Sequence, residues 1–198
     1  MHIQRQMFSC WWLAAAFISL FACITPLCAQ AEYLRYLDTT RNLKVGDSER
    51  QVETTLQRFD TESWSSLTNL YPRRLQFLAG QRVLAWLTHP KRQVGEGYIL
   101  AVFSADGKLS DLLRFEPQLR IFPLVRGPYA QRLASIKKGM SIDDMYRHIG
   151  EVAPVRYYRG EDGRWIVHFS YQGAGPDFWI YEAEAATGTI LSVHVSRI

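Results

Sequence analysis

Apolar and polar positions along this chain repeat twice in the same order. Leu43-Lys44-Val45-Gly46-Asp47-Ser48 is followed by Val52 and Leu56, and Ile136-Lys137-Lys138-Gly139-Met140-Ser141 is followed by Met145 and Ile149. Each copy reads apolar, Lys, any residue, Gly, any residue, Ser, then apolar residues four and eight positions on, which is a helical spacing. Ser48 and Ser141 are placed to cap the helix start, with Gln51 and Asp144 three residues on to complete a capping box. Val52, Leu56 and Phe59 form the predicted apolar stripe of the first helix, and Ile142, Met145, Tyr146 and Ile149 that of the second, with Gly150 as its stop.

Alternating patterns follow each helix. In the first copy, residues 82–88 and 98–104 read as strands, and Ala105-Asp106-Gly107-Lys108 as a turn into a third strand ending near Phe115. In the second, 154–159, 164–171, 177–183 and 189–195 read as strands, with Gly160-Glu161-Asp162-Gly163 as a turn. Gly46 and Gly139 are 93 apart, whereas Gly107 and Gly188 are 81 apart, so the first copy holds twelve extra residues, assigned to 62–80. Residues 67–79 there read as a second helix broken at Pro72. Between the copies, Pro117, Pro123 and Pro128 favour an extended connector, and Leu119, Ile121, Phe122, Leu124 and Val125 give it a face to dock. A docked connector allows the two sheets to run on into each other. The expected class is α+β: two tandem repeats, each an N-terminal helix or helix pair packed on an antiparallel β-sheet, at 32–115 and 133–198, joined by a connector at 116–132.

Residues 1–31 have the parts of a secretory signal: His2 and Arg5, an uncharged apolar run from Met7 to Phe21, and Ala29-Gln30-Ala31 as a small-x-small cleavage site. Cleavage after Ala31 places the protein in the periplasm or outside the cell. A retained spanning helix over residues 7–27 is one alternative. Lipidation at Cys23 in Leu20-Phe21-Ala22-Cys23 is the other, and would make a membrane-anchored lipoprotein. Cys10, Cys23 and Cys28 all precede Glu32, so cleavage leaves no disulfide, thiol nucleophile or cysteine metal site. The chain carries a formal +4, and its basic pairs Arg73-Arg74, Lys91-Arg92 and Lys137-Lys138 are dispersed, which argues against a nucleic-acid partner.

The Gly-x-Ser helix starts, the helix ending at Gly150, Trp165 on a following strand, and the strand and glycine turn Val102-Phe103-Ser104-Ala105-Asp106-Gly107-Lys108-Leu109 resemble the SmpA/OmlA (BamE) type of outer-membrane assembly lipoprotein. Two such modules in one secreted chain are similar in plan to the beta-lactamase inhibitor protein. Ala186-Thr187-Gly188-Thr189-Ile190-Leu191-Ser192-Val193 resembles, more weakly, the closing hairpin of a PepSY module. These resemblances imply helix-and-sheet modules that bind proteins in the cell envelope.

No Gly-x-Ser-x-Gly elbow, phosphate loop or metal-ligand spacing is present among His89, His148, His168 and His194, so neither an enzyme nor a cofactor is expected. His168 and His194 each alternate with apolar neighbours and therefore point away from the buried face. With strand 177–183 between them, their rings are expected ~9–10 Å apart, and an enzyme would need one of them to meet a carboxylate in a pocket. Strand 177–183 carries Phe178 and Ile180 on one face and Trp179 and Tyr181 on the other, so one bulky face is left for a partner or the connector. Trp179, Tyr181, His168, His194 and Tyr157 are the candidate partner-binding residues. The expected function is non-enzymatic binding of an envelope protein through the sheet face, as an inhibitor or adaptor. A lipid-anchored assembly or structural factor, and a peptide- or glycan-binding module, are the alternatives.

Overall fold

The computed structural model describes residues 39–88, 97–117, 120–173 and 176–197, within two compact units, Met1–Arg41 and Asn42–Ile198. The predicted leader with Cys23, and His89, lie outside the described residues. The second unit is mixed α+β, with two antiparallel sheets. Among the described residues no helix is long and apolar enough to cross a membrane.

The chain runs α1 (Glu49–Leu56), β1 (Thr61–Glu62), α2 (Trp64–Leu70), α3 (Pro72–Leu75), a 3-10 turn (Gln76–Leu78), β2 (Arg82–Leu87), β3 (Tyr98–Phe103), β4 (Leu109–Glu116) and β5 (Arg120–Pro123). Then come α4 (Pro128–Ser135), α5 (Ile142–Ile149), β6 (Arg156–Arg159), β7 (Trp165–Gln172), β8 (Asp177–Glu184) and β9 (Ile190–Arg197). Strands β1 to β5 form one sheet in chain order, and β6 to β9 the other. The two sheets are separate and do not run on into each other. The span expected to be an extended connector contains β5, which pairs with β4, and opens α4 at Pro128. Pro128 starts that helix because the first helical position has no N–H to lose.

Local chemistry sets the helix ends. Ser141 Oγ accepts from Asp144 N–H at 3.0 Å and donates to the Asp144 carboxylate, whereas Ser48 Oγ accepts from Gln51 N–H at 3.4 Å. The expected break at Pro72 falls where α2 gives way to α3. Both predicted glycine starts turn into their helices at positive φ, 96° at Gly46 and 92° at Gly139. The backbone contacts around them correspond. Gly46 N–H bonds Leu109 O and Leu109 N–H bonds Asp47 O; Gly139 N–H bonds Ile190 O and Ile190 N–H bonds Met140 O, all four at 2.8 Å. Ser48 bridges Lys108 and Ser141 bridges Thr189 in the same antiparallel sense.

Register assigns the faces. In the first sheet Val83, Ala85, Tyr98, Leu100, Val102, Leu113, Phe115 and Ile121 enter the central core, with Leu67, Leu75, Leu78, Leu133, Met145 and Ile149 of the helical segments. The opposite face is buried too, through Trp86, Ile99, Ala101, Phe103, Leu109 and Leu112. The second sheet gives the same core Val167, Phe169, Tyr171, Tyr181, Ala183 and Ile190.

Three buried tyrosines close this core by satisfying carbonyls that helices leave unpaired at their ends. Tyr181 Oη donates to Leu133 O at the end of α4 (2.7 Å), Tyr171 Oη to Gly150 O (2.6 Å), and Tyr129 Oη approaches Ile149 O (3.3 Å) and Ile121 O (3.4 Å). Leu133 O otherwise receives only the Ile136 N–H, at 3.4 Å. Tyr181→Phe is therefore expected to lower unfolding free energy by about 1–2 kcal/mol, since it leaves a buried acceptor short of a donor. Chemical denaturation measures this, and an unchanged midpoint would show the hydroxyl to be dispensable.

Candidate functional site

On β7 and β8 the side chains of odd number, from 165 to 171 and 179 to 183, share the core-facing side with Val193 and Val195 of β9, and those of even number share the other; the irregularity in β9 reverses this at Ile190, which also enters the core. This register places Trp179 and Tyr181 on the covered face. Tyr181 is fully buried, so the expectation that it offers itself to a partner is corrected: both faces of β8 are bulky, and α4 covers this one through the Leu133 contact. Trp179 is half-buried at the margin of the core. It lines a cleft of about 580 Å³ with Val45, Arg126, Pro128, Gln131 and Asp177.

His168 and His194 lie on the outer face, as the alternation predicted; Glu182 on β8 pairs with His168 and stands diagonal to His194, whose own partner is Ile180. Glu182 Oε1 accepts from Tyr158 Oη at 2.7 Å and Oε2 from Ser192 Oγ at 2.7 Å. His168 Nδ1 stands 3.8 Å from Oε1, and His194 Nε2 4.0 Å from Oε2. The two hydroxyls, Ser192 first and Tyr158 next, hold the Glu182 carboxyl below its ordinary range, and the flanking imidazoles act in the same direction. In turn the bond to Glu182 raises the Tyr158 phenol above its usual value. Arg156 stacks its guanidinium over Tyr158, 4.6 Å from the ring centroid.

Ser192 donates to a carboxylate and so is not oriented as a nucleophile toward an imidazole base. The carboxylate that the histidines meet lies on an open sheet face, with the Glu182 side chain 25% exposed, and lines neither the Trp179 cleft nor the smaller one of about 330 Å³ beside Arg73, Asp143 and Tyr146. Among the described residues no group of three His, Cys, Asp or Glu side chains is arranged to hold a metal ion.

Tyr157 belongs to the core-facing side of β6 but lies beyond the reach of the core. It is 58% exposed and stacks on the 52% exposed Trp165, with centroids 5.2 Å apart and planes 19° from parallel. The structure thus groups His168 with His194, sets Tyr157 at the neighbouring edge with Trp165, and separates Trp179 and Tyr181 from both. Sequence reasoning missed Glu182, Tyr158 and Ser192. Their common even numbering with His168 and His194 was the available signal, because hairpins whose paired residue numbers sum to an even value keep one parity on each face. Compared with known proteins, the sequence matches no family model, and no curated protein matches it significantly.

Proposed function

We propose that this chain is an exported, non-enzymatic protein of the cell envelope, built from two tandem helix-and-sheet units of SmpA/OmlA-like type, that binds another protein through the outer face of its second sheet. The tandem reading is supported by the matched hydrogen bonds of Gly46 with Leu109 and Gly139 with Ile190. The observation that carries the binding reading is the asymmetry between the sheets: the first is buried on both faces, whereas the outer face of the second holds Tyr158, His168, Ile180, Glu182, Ser192 and His194 in partly or fully exposed positions. That face mixes an aromatic ring, an aliphatic side chain and a pre-arranged polar cluster, the composition of a protein-recognition surface. The exposed Tyr157 and Trp165 stack on the other side of this sheet and are not part of that face.

The test is affinity capture from envelope extract with three forms of the protein: native, Ile180→Arg on the outer face, and Leu70→Ser at an exposed position of α2. One protein retained by the native and Leu70→Ser forms, and reduced about tenfold or more by Ile180→Arg, is the expected result. Equal retention by all three forms, or none by any, would sink the reading.

A further inference from the structure

The four sheet edges among the described residues are not equally protected. Edges left open recruit other strands, and proteins blunt them with short length, charge, proline or bulges. Strand β1 has two residues, β5 has four and ends in Pro123, and β6 has four with Arg156 and Arg159 at its ends. The last edge, β9, has eight residues, Ile190-Leu191-Ser192-Val193-His194-Val195-Ser196-Arg197, with no proline, lysine or acid. Its irregularity, opposite Glu182 and Ala183, falls near its start and leaves 192–197 in regular register with β8. This stretch becomes progressively more open, with 194–197 exposed and Val195 at 49%. In such a strand every second residue directs its N–H and C=O away from the sheet.

We propose that β9 is the interface between two copies of this chain, pairing antiparallel with β9 of the second copy about a two-fold axis at Val195. The sequence of the edge is complementary to itself in that register. Val195 meets Val195 of the partner, His194 meets Ser196, and Val193 meets the aliphatic stem of Arg197, so apolar faces apolar and a hydroxyl faces an imidazole. The one formal charge of the strand, Arg197, is kept from its own copy by about four residues of strand, roughly 13 Å, beyond the screening length at physiological salt. It also retains its ion pair with Asp177 at 3.2 Å. Because the axis stands perpendicular to the sheet, the four-stranded sheet continues into eight strands, and both outer faces, each with its Glu182 cluster, open on the same side.

Sedimentation equilibrium of the protein as purified from its cells tests this. The native protein is expected to reach dimer mass as concentration rises. Val195→Lys, which sets two ammonium groups directly opposite each other, and Ser196→Lys on the other face are each expected to weaken the dimer about tenfold or more. Leu70→Lys, at an exposed leucine of α2, leaves the dimer unchanged. A native protein that stays monomeric at all concentrations, a dimer indifferent to both β9 substitutions, or an edge that takes up an unrelated extended peptide while the protein remains monomeric would each overturn the proposal. Far-UV circular dichroism of the variants confirms that they are folded when compared.

Discussion

Alanine in place of Gly150 is expected to lower the unfolding free energy by about 2–5 kcal/mol, of which a residue forced into the glycine-only region at φ 82°, ψ 162° accounts for roughly 1–3 and overpacking for the rest. Gly150 ends α5 at φ 82° and stands where four parts of the fold meet. Its N–H bonds Tyr146 O, and its carbonyl accepts from Tyr171 of β7. A methyl group on its Cα would come within 2.5 Å of Ile121 Cδ1 in β5, 2.6 Å of Arg74 O and 3.1 Å of the Phe77 ring. Ile121 is fully buried and Arg74 O is backbone, so neither gives way without moving β5 or the α3 segment. Gly188 supplies the comparison. It has a similar φ of 66°, but the nearest atom to an added Cβ is Ile142 Cδ1 at 3.9 Å. Gly188→Ala should therefore cost only the conformational part, about 1–2 kcal/mol. Denaturant midpoints of the two variants separate the contributions, and equal losses would show that crowding at Gly150 is relieved without cost.

Gly150 also shows what the sequence could disclose. A glycine after an apolar stripe signals a helix end, and Ser48, Ser141 and Pro72 signal starts and breaks, because in each case the cause is a hydrogen bond or ring within a few residues. Strands β2 to β4 and β6 to β9 were legible, whereas β1 and β5 were not, because two and four residues at a sheet edge are too short to show a pattern. Helix α4 was not, although Pro128 at a first helical position and Tyr129 and Leu133 four apart are its signature, because Pro128 was grouped with Pro117 and Pro123 as a mark of extended chain. Which face of β8 is covered was illegible for a different reason. Phe178, Trp179, Ile180 and Tyr181 are bulky on both sides, and the choice is made by α4, which offers Leu133 O to the Tyr181 hydroxyl from 48 residues away. The Glu182 cluster has the same character. Its members come from four strands, so it exists only once the register of three hairpins is fixed.

The Glu182 cluster lies on the outer face of the second sheet, one strand in from the β9 edge. Recognition through that face and pairing through β9 use different groups: side chains of even number in the first, outward backbone of β9 in the second. A substitution such as Ile180→Arg, inside the face and one strand away from the edge, should therefore affect partner capture and leave dimer mass intact. Ser192 and His194 are common to both, since each borders Glu182 and lies on β9.

Asp111→Asn is expected to leave stability nearly unchanged near pH 4 and to raise it above that of the native protein at pH 7.5. Asp111 is 2% exposed on β4 and points to the start of α4, where its Oδ1 accepts the Tyr129 N–H at 3.0 Å. Gly127 lies so close that a Cβ there would fall 2.1 Å from this oxygen, so the turn into α4 is moulded around the carboxyl. Burial pushes the Asp111 carboxyl up to about 6, against the opposing pull of the Tyr129 N–H and of Arg132. In the unfolded chain an aspartate titrates near 3.9, so between that value and about 6 the folded state binds more proton than the unfolded one. The contribution of this site to stability is therefore fully present below pH 4 and is lost as pH rises through 6. About two pKa units correspond to a loss on the order of 3 kcal/mol by neutral pH. Asparagine keeps the oxygen that receives the Tyr129 N–H and never ionises, so it removes this slope. Denaturation of both forms at pH 4, 5.5 and 7.5 measures the difference directly, with other carboxylates common to the two. A variant less stable than the native protein at pH 7.5, by as much as at pH 4, would mean that burial does not raise the Asp111 carboxyl.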